Sequence, residues 1–241
     1  MSTNNESSGV VVRSDDPVTL LGAGAVSTQD LDKILALAPC LVAADGGAGV
    51  AIEHGLTPRA VIGDFDSLPH FATERLTPEA FFHVAEQDST DFEKCLTRID
   101  APLILALGFT GWRLDHELSV MSVLVRHPGT RCIVLGSHDV VAHAPSRLAL
   151  DLEPGTRFSL FPMGPVRGRS EGLRWPIEGI DFAPGGRVGT SNEATGPVRL
   201  EFENDGMLVI MPREALGALI SALETGLGRV RGRSRRDRPR P

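Results

Sequence analysis

One transition recurs along the first half of the chain and narrows the possible folds more than any other feature. Short apolar runs at residues 18–21, 41–44, 60–62 and 103–107 each stop at a glycine-bearing turn. The turns are Gly22-Ala23-Gly24, Asp45-Gly46-Gly47, Gly63-Asp64-Phe65-Asp66-Ser67 and Gly108. Unbroken apolar runs of this length mark strands buried on both faces. Between them lie segments of helical character. One is capped by Thr28 or Asp30 and runs to Leu37, and another ends at His54 with Gly55 and Pro58 beyond it. Residues 81–84 and 131–135 add two further strands. Strands alternating with helices at this spacing predict βαβ units and an open, mostly parallel sheet. Such sheets bind ligands off the carboxyl ends of their strands, where these turns fall. The Gly22-Ala23-Gly24 turn is only a fragment of a dinucleotide fingerprint, because Ser27 stands where a third glycine is required.

The chemistry concentrates between Val61 and Lys94. Two residues apart in extended backbone, Asp64 and Asp66 are expected to face one space. Carboxylates held that close repel unless a proton or a cation separates them. Mg²⁺, a hard cation that takes oxygen ligands, is the natural occupant. Downstream stands Gln87-Asp88-Ser89-Thr90-Asp91-Phe92-Glu93-Lys94. Thr90 and Glu93 have capping-box spacing, and Phe92, Cys95, Leu96 and Ile99 form one apolar stripe. Asp88 is therefore placed just before a helix and Asp91 in its first turn, with Lys94 one turn further. The blander reading is a solvated loop followed by an i,i+3 ion pair of small energetic worth. The basic residues tilt the balance: the chain has twenty-two Arg and only two Lys, Lys33 and Lys94. A lysine beside an acidic cluster in so Arg-biased a chain argues for a compact point charge.

A second glycine-rich turn, Gly108-Phe109-Thr110-Gly111-Trp112-Arg113, leads into a helix with apolar positions Leu118, Met121 and Val125. Arg113 at its entrance suits a phosphate, and Asp115 is expected to cap it. His116 either orients a ligand or bonds a neighbouring acid.

Beyond Ser137 the texture changes to short alternating runs broken by Gly and Pro, at 147–152, 157–161, 198–202 and 207–210. They predict a smaller all-β sandwich, with Asn204-Asp205-Gly206 as a hairpin turn. The stretch 172–177, which contains Trp175, and the polar loop 189–193 read as less strand-like. Taken alone, Trp175 reads as core and Ser191-Asn192 as a turn. The resulting division is a leader at 1–16, an α/β domain at 17–137, a β-sandwich at 138–212, a C-terminal helix at 213–228 and a disordered Arg-rich tail at 229–241.

At 241 residues, 41% hydrophobic and 23% charged, the chain has an ordinary soluble globular composition. It shows no apolar run of membrane-spanning length and no secretory signal. Cys40, Cys95 and Cys132 lack disulfide or zinc spacing, which fits buried thiols in a reducing cytoplasm. The tail from Arg229 carries +6, so the net charge of −7 leaves −13 on the other 228 residues. So acidic a body argues against nucleic acid as the main partner.

Taken together, Asp45-Gly46-Gly47, Gly63-Asp64-Phe65-Asp66-Ser67, the 87–94 stretch, Gly111-Trp112-Arg113-Leu114-Asp115-His116 and Ser191-Asn192-Glu193 resemble the thiamine pyrophosphokinase family in order and spacing. The likeness covers about residues 18–210. It implies Mg²⁺-dependent transfer of pyrophosphate from ATP to thiamine, giving thiamine diphosphate and AMP, by a cytoplasmic homodimer with active sites at the subunit interface. It places ATP over Asp45, Gly46, Gly47, Gln87, Asp88, Thr90, Arg113, Asp115 and His116. It makes Asp64, Asp66 and Asp91 the metal ligands. Catalysis would fall to Asp64, Asp66, Asp88, Asp91, Lys94 and Arg113, with Asp88 or Asp66 as the proton acceptor. Trp175, Ser191 and Asn192 would hold thiamine. Two rival expectations are a metal-dependent phosphatase with Asp64 as nucleophile and Asp66 as acid/base, and a sensor that binds without turnover.

Overall fold

Every residue of the first three apolar runs is buried, and each of the three strands they form has a strand paired on both sides. The structure is a computed structural model; it describes residues 9–225, which fall into two units divided after His143. The first unit holds β1 (Val12–Arg13), β2 (Val18–Leu21), α1 (Thr28–Leu37), β3 (Cys40–Ala44), α2 (Gly47–Glu53) and β4 (Ala60–Gly63). It continues with α3 (His70–Arg75), β5 (Phe81–His83), α4 (Asp91–Leu96), β6 (Ile99–Asp100), β7 (Ile104–Leu107), α5 (Leu114–Arg126), β8 (Cys132–Leu135) and β9 (Asp139–His143). Strands β8, β7, β2, β3, β4 and β5 lie side by side in that order and are parallel. The order reverses direction at β2, so the turns after β2 and β7 open beside each other, at a switch point of the kind that receives ligands.

Several boundaries differ from the expectation. The sheet does not stop at Leu135: β9 folds back antiparallel on β8, so the first unit extends six residues past 137. An antiparallel strand added to a parallel sheet is common, and the short connection after β8 suffices for it. Val12 and Arg13, within the stretch read as a leader, pair with β6, and Val12 is buried. Residues 1–8 and the Arg-rich tail lie outside the described residues. The cap of α1 is Ser27, whose hydroxyl accepts from the Asp30 amide, in place of Thr28 or Asp30. On α5 the buried face is Val120, Val123 and Leu124, while Leu118 is exposed. Among the described residues, no helix is long and apolar enough to cross a membrane.

The second unit contains β10 (Arg147–Leu150), β11 (Arg157–Pro162), β12 (Gly168–Leu173), β13 (Gly189–Phe202), β14 (Met207–Pro212) and α6 (Leu216–Thr225). The fourteen-residue β13 organises it. Its first part pairs with β11, and its last part runs between β10 and β12. Pro197 lacks an amide hydrogen and sits where the strand passes from one set of partners to the other. Two expectations fail here. The stretch 189–193 begins β13 and is not a free loop. Asn204-Asp205-Gly206 does not close a hairpin, because β14 pairs with β11 and not with β13. The turn signal was real, but burial of Met207, Leu208 and Val209 decides the partner.

Candidate active site

The turn after β2 meets the turn after β7 backbone to backbone. The Gly24 amide donates to the Gly108 carbonyl at 2.9 Å. A Cβ on Gly22 or Gly24 would lie 2.5 or 2.7 Å from that carbonyl oxygen, so both positions require glycine. Gly47 is needed for packing rather than for access: a Cβ there would stand 2.1 Å from the Leu21 carbonyl oxygen. These turns form the floor of a cleft of about 390 Å³ that reaches from Asp45, Asp64 and Asp91 to Trp112, Arg113 and His116.

Three carboxylates converge at one end. Oxygens of Asp45, Asp64 and Asp91 lie within 4.8 Å of one another. Asp45 follows β3 with a left-handed φ of 39° and is buried. Its Oδ2 accepts from the Ser67 amide at 3.1 Å, while Oδ1 is buried with no partner. Burial, with repulsion from Asp91 and Asp66 added, pushes its pKa up to about 7 against the Ser67 hydrogen bond. Asp91 is also raised, by burial first and the nearby Asp64 charge, although Lys94 opposes the shift. Asp64 goes the other way: burial is overcome by hydrogen bonds from Lys94, the Asp66 amide and Gln87.

Lys94 is the cation among them. It is 1% exposed, and its Nζ lies 2.7 Å from Asp64 Oδ2 and 3.3 Å from Asp91 Oδ1. Burial alone would discharge it; the two carboxylates hold its pKa above the ordinary lysine value. Its place follows from helix α4, whose N-cap Thr90 accepts from the Glu93 amide. Only half of the capping box forms. The Glu93 carboxylate turns away to Arg126 at 2.7 Å and His127 at 2.8 Å, tying α4 to the end of α5.

Asp66 departs from the expectation that it joins Asp64. Phe65 has φ 67°, so the backbone between Asp64 and Asp66 is not extended, and Asp66 is not among the three carboxylates whose oxygens lie within 4.8 Å of one another. Phe65 instead packs edge-on to Phe81 at 5.6 Å. Asp66 bonds the Ser67 hydroxyl, and Asp45 takes the third position near Asp64 and Asp91. Gln87 reaches Asp64 Oδ2 at 3.1 Å. Asp88 is exposed, and its amide donates to Glu86. Arg113, rather than Asp115, occupies the N-cap of α5 and makes no side-chain cap there. Its guanidinium forms two hydrogen bonds with Asp115, at 3.2 and 2.6 Å, on the exposed rim. His116 lines the cleft with it. The sequence puts Asp45 with the nucleotide and not with the clustered carboxylates, and it assigns no role to Phe109 or Trp112, which line the cleft. The place of Asp45 after β3 marks it as a binding residue; that it approaches Asp64 and Asp91 follows from β3 and β4 being neighbours.

The second unit presents a different surface. Trp175 is 53% exposed. Asn192 is buried, and its carboxamide accepts from the Trp175 amide at 3.1 Å and donates to the Trp175 carbonyl at 2.7 Å. The Arg174 guanidinium lies 4.9 Å over the indole ring. Ser191 is exposed and left-handed, with φ 62°.

Comparison with known proteins matches both units. Residues 31–134 fit the family "Thiamin pyrophosphokinase, catalytic domain", and residues 146–207 fit "Thiamin pyrophosphokinase, vitamin B1 binding domain". Thiamine pyrophosphokinase 1 of Arabidopsis thaliana is 28% identical over 163 residues, covering 59% of this chain and 61% of that protein. Thiamin pyrophosphokinase 1 of Caenorhabditis elegans is 30% identical over 155 residues, covering 57% and 63%. The chain thus spans about three fifths of the curated relatives it matches. Thiamin pyrophosphokinase from Candida albicans shares the fold at TM-score 0.69 and 15% identity, covering 86% of this chain and 97% of that one. The Geobacillus thermodenitrificans protein does so at 0.66 and 22%, covering 81% and 96%.

Proposed function

This chain belongs to the thiamine pyrophosphokinase family, and we propose that it transfers the β,γ-pyrophosphoryl group of ATP to the hydroxyethyl oxygen of thiamine, releasing AMP. The observation that carries this reading is the cluster of Asp45, Asp64 and Asp91 around buried Lys94 in the cleft.

The residues fit Mg²⁺. Three carboxylate oxygens are close enough to share one ion, and Asp45 Oδ1 is a buried acceptor in need of a cation. When bound, the ion would offset the negative charge of the phosphates. We assign Asp45, Asp64 and Asp91 as its holders, with Asp66 close behind. Lys94, fixed by two carboxylates, supplies a positive charge that cannot swing away. Arg113 is less tightly held: its exposed pair with Asp115 is weak, so a phosphate can take the guanidinium from it. Gln87 keeps Asp64 oriented. Asp66 or Asp88 accepts the thiamine hydroxyl proton. Chemistry of this kind rests on alignment and charge offset more than on covalent steps. The glycine floor allows close approach of the triphosphate.

The second unit, read as a β-sandwich, would hold thiamine at Trp175 and Ser191. An acidic body suits a cationic acceptor. The protein would act as a cytoplasmic homodimer with active sites at the subunit interface. A phosphatase with Asp64 as nucleophile is less well supported, since Asp64 is engaged by Lys94, Gln87 and the Asp66 amide.

The test is AMP formation from ATP, with and without thiamine, in Mg²⁺ and in chelator. AMP and thiamine diphosphate in equal amounts, dependent on both thiamine and metal, are expected. Phosphate release independent of thiamine would replace this reading with the phosphatase, and binding without turnover would replace it with a sensor.

A further inference from the structure

We propose that Asn192 is a positioning residue that acts through Trp175, with Arg174 and Glu193 fixing the indole from one side; the identity of the ligand rests on the function proposed above.

The hydrogen-bond capacity of Asn192 decides its role. A carboxamide offers two acceptor lone pairs and two N–H donors. Oδ1 accepts from the Trp175 amide at 3.1 Å and from the Glu193 amide at 2.9 Å, and Nδ2 donates to the Trp175 carbonyl at 2.7 Å. Three of four valences are spent, and the residue is 8% exposed. Little remains for a ligand.

The need for such a brace is local. Strand β12 ends at Leu173, and Pro176 has no amide hydrogen, so Trp175 has no ladder to hold it. Asn192 supplies the pairing that a neighbouring strand would have supplied, for both main-chain groups of Trp175. The Arg174 amide donates to the Glu193 carbonyl at 2.9 Å. The Arg174 guanidinium lies 4.9 Å from the indole centroid and 3.5 Å from the Glu193 carboxylate. One face of the ring is therefore covered by a held cation, while Trp175 as a whole stays 53% exposed. Ser159 anchors the far end by accepting the amide hydrogen of left-handed Ser191 at 3.0 Å. Residues 174, 175, 192 and 193 thus close a ring of contacts around one exposed aromatic. A rigid aromatic presents contact area at low entropic cost, and bracing its backbone lowers that cost further.

The experiment combines a double-mutant cycle with fluorescence. In a Trp112→Phe background Trp175 is the sole tryptophan, because the chain has two. There, Asn192→Ala is expected to increase acrylamide quenching of Trp175 and lower its anisotropy. In the otherwise native protein, Asn192→Ala should raise the thiamine KM about tenfold, with kcat within about threefold and the ATP KM unchanged. Trp175→Ala should do the same, and the double variant should be no worse than Trp175→Ala alone. Asn192→Asp, which keeps the acceptor but sets an oxygen against the Trp175 carbonyl in place of the donor, should show the same pattern of loss and replaces Asn192→Ala if that variant does not fold. A double variant whose KM effect is the product of the single effects would mean that Asn192 touches substrate directly, and would overturn the proposal. So would unchanged quenching of Trp175. If wild-type protein makes no thiamine diphosphate, the proposed function falls, while the fluorescence arm still decides whether Asn192 holds the indole.

Discussion

In the cleft, Asp45, Asp64, Asp91 and Lys94 are ionisable groups withdrawn from water and leaning on one another. Around Trp175, an exposed ring is braced by a neutral carboxamide and main-chain hydrogen bonds. The first arrangement carries strain: carboxylates with a raised pKa and a buried acceptor without a partner cost folding free energy. The second is relaxed, with its polar groups satisfied before any ligand is present. The lesson is that charge offset and ring placement are built from separable parts. Substitutions in the cleft should change turnover, stability and metal response together. Substitutions around the indole should change one Michaelis constant and little else.

Lys94→Met tests this contrast most severely. It leaves the acid cluster without its cation, so kcat/KM should fall by about a thousandfold or more. Urea titration should show a loss of about 3 kcal/mol, the usual consequence of breaking a buried ion pair from one side. Retained stability would mean that the cluster is not strained in the way described.

Asp45→Asn should separate turnover from stability. Turnover is expected to drop about a hundredfold. In chelator, the sign for stability is the reverse. The folded pKa of Asp45, about 7, lies above the ordinary 3.8, so the folded protein holds its proton more tightly than the unfolded chain does. Wild-type stability should therefore fall as pH rises from about 4 to about 7, and asparagine should flatten that slope. Urea midpoints at pH 5 and pH 8 measure it, and Asp45→Asn should be the more stable protein at pH 8. Parallel pH curves would remove Asp45 from the cluster.

Trp175→Ala comes next: thiamine KM should rise about tenfold while the urea midpoint stays put, since the ring is largely in solvent. Arg174→Ala is the gentlest change. Loss of an exposed cation–π contact should move thiamine KM about threefold and leave ATP KM alone. An effect on ATP would merge the two regions that the comparison keeps apart.

Much of this architecture was legible in the chain because apolar runs and their terminal turns are local signals. The parallel strands β2, β3, β4 and β7, the start of α4 and the burial of Phe92, Cys95 and Leu96 follow from spacing alone. What escaped depends on tertiary partners. Asp45 joins Asp64 and Asp91 because β3 and β4 are neighbours, and Phe65 turns left-handed because its ring fills a gap beside Phe81. No periodicity encodes either. Asn192 reads as a turn former until the unpaired main chain of Trp175 is set against it. Glu93 reads as half of a capping box until Arg126 and His127 approach from thirty-odd residues away. The turn at Asn204 was read correctly as a turn, but which strands it joins is a property of the core.

The floor of the cleft carries a last consequence. Gly22, Gly24 and Gly108 meet through peptide groups, which are the same in every residue. Nothing at the bottom of the cleft can be retuned by exchanging one side chain for another, and any exchange there wedges the turns apart. Variation in the cleft is left to side chains off that floor, such as Phe109, Thr110, Trp112 and His116. A directed-evolution library that tests the proposed nucleotide site should therefore spare the glycines entirely and spend its diversity on those side chains.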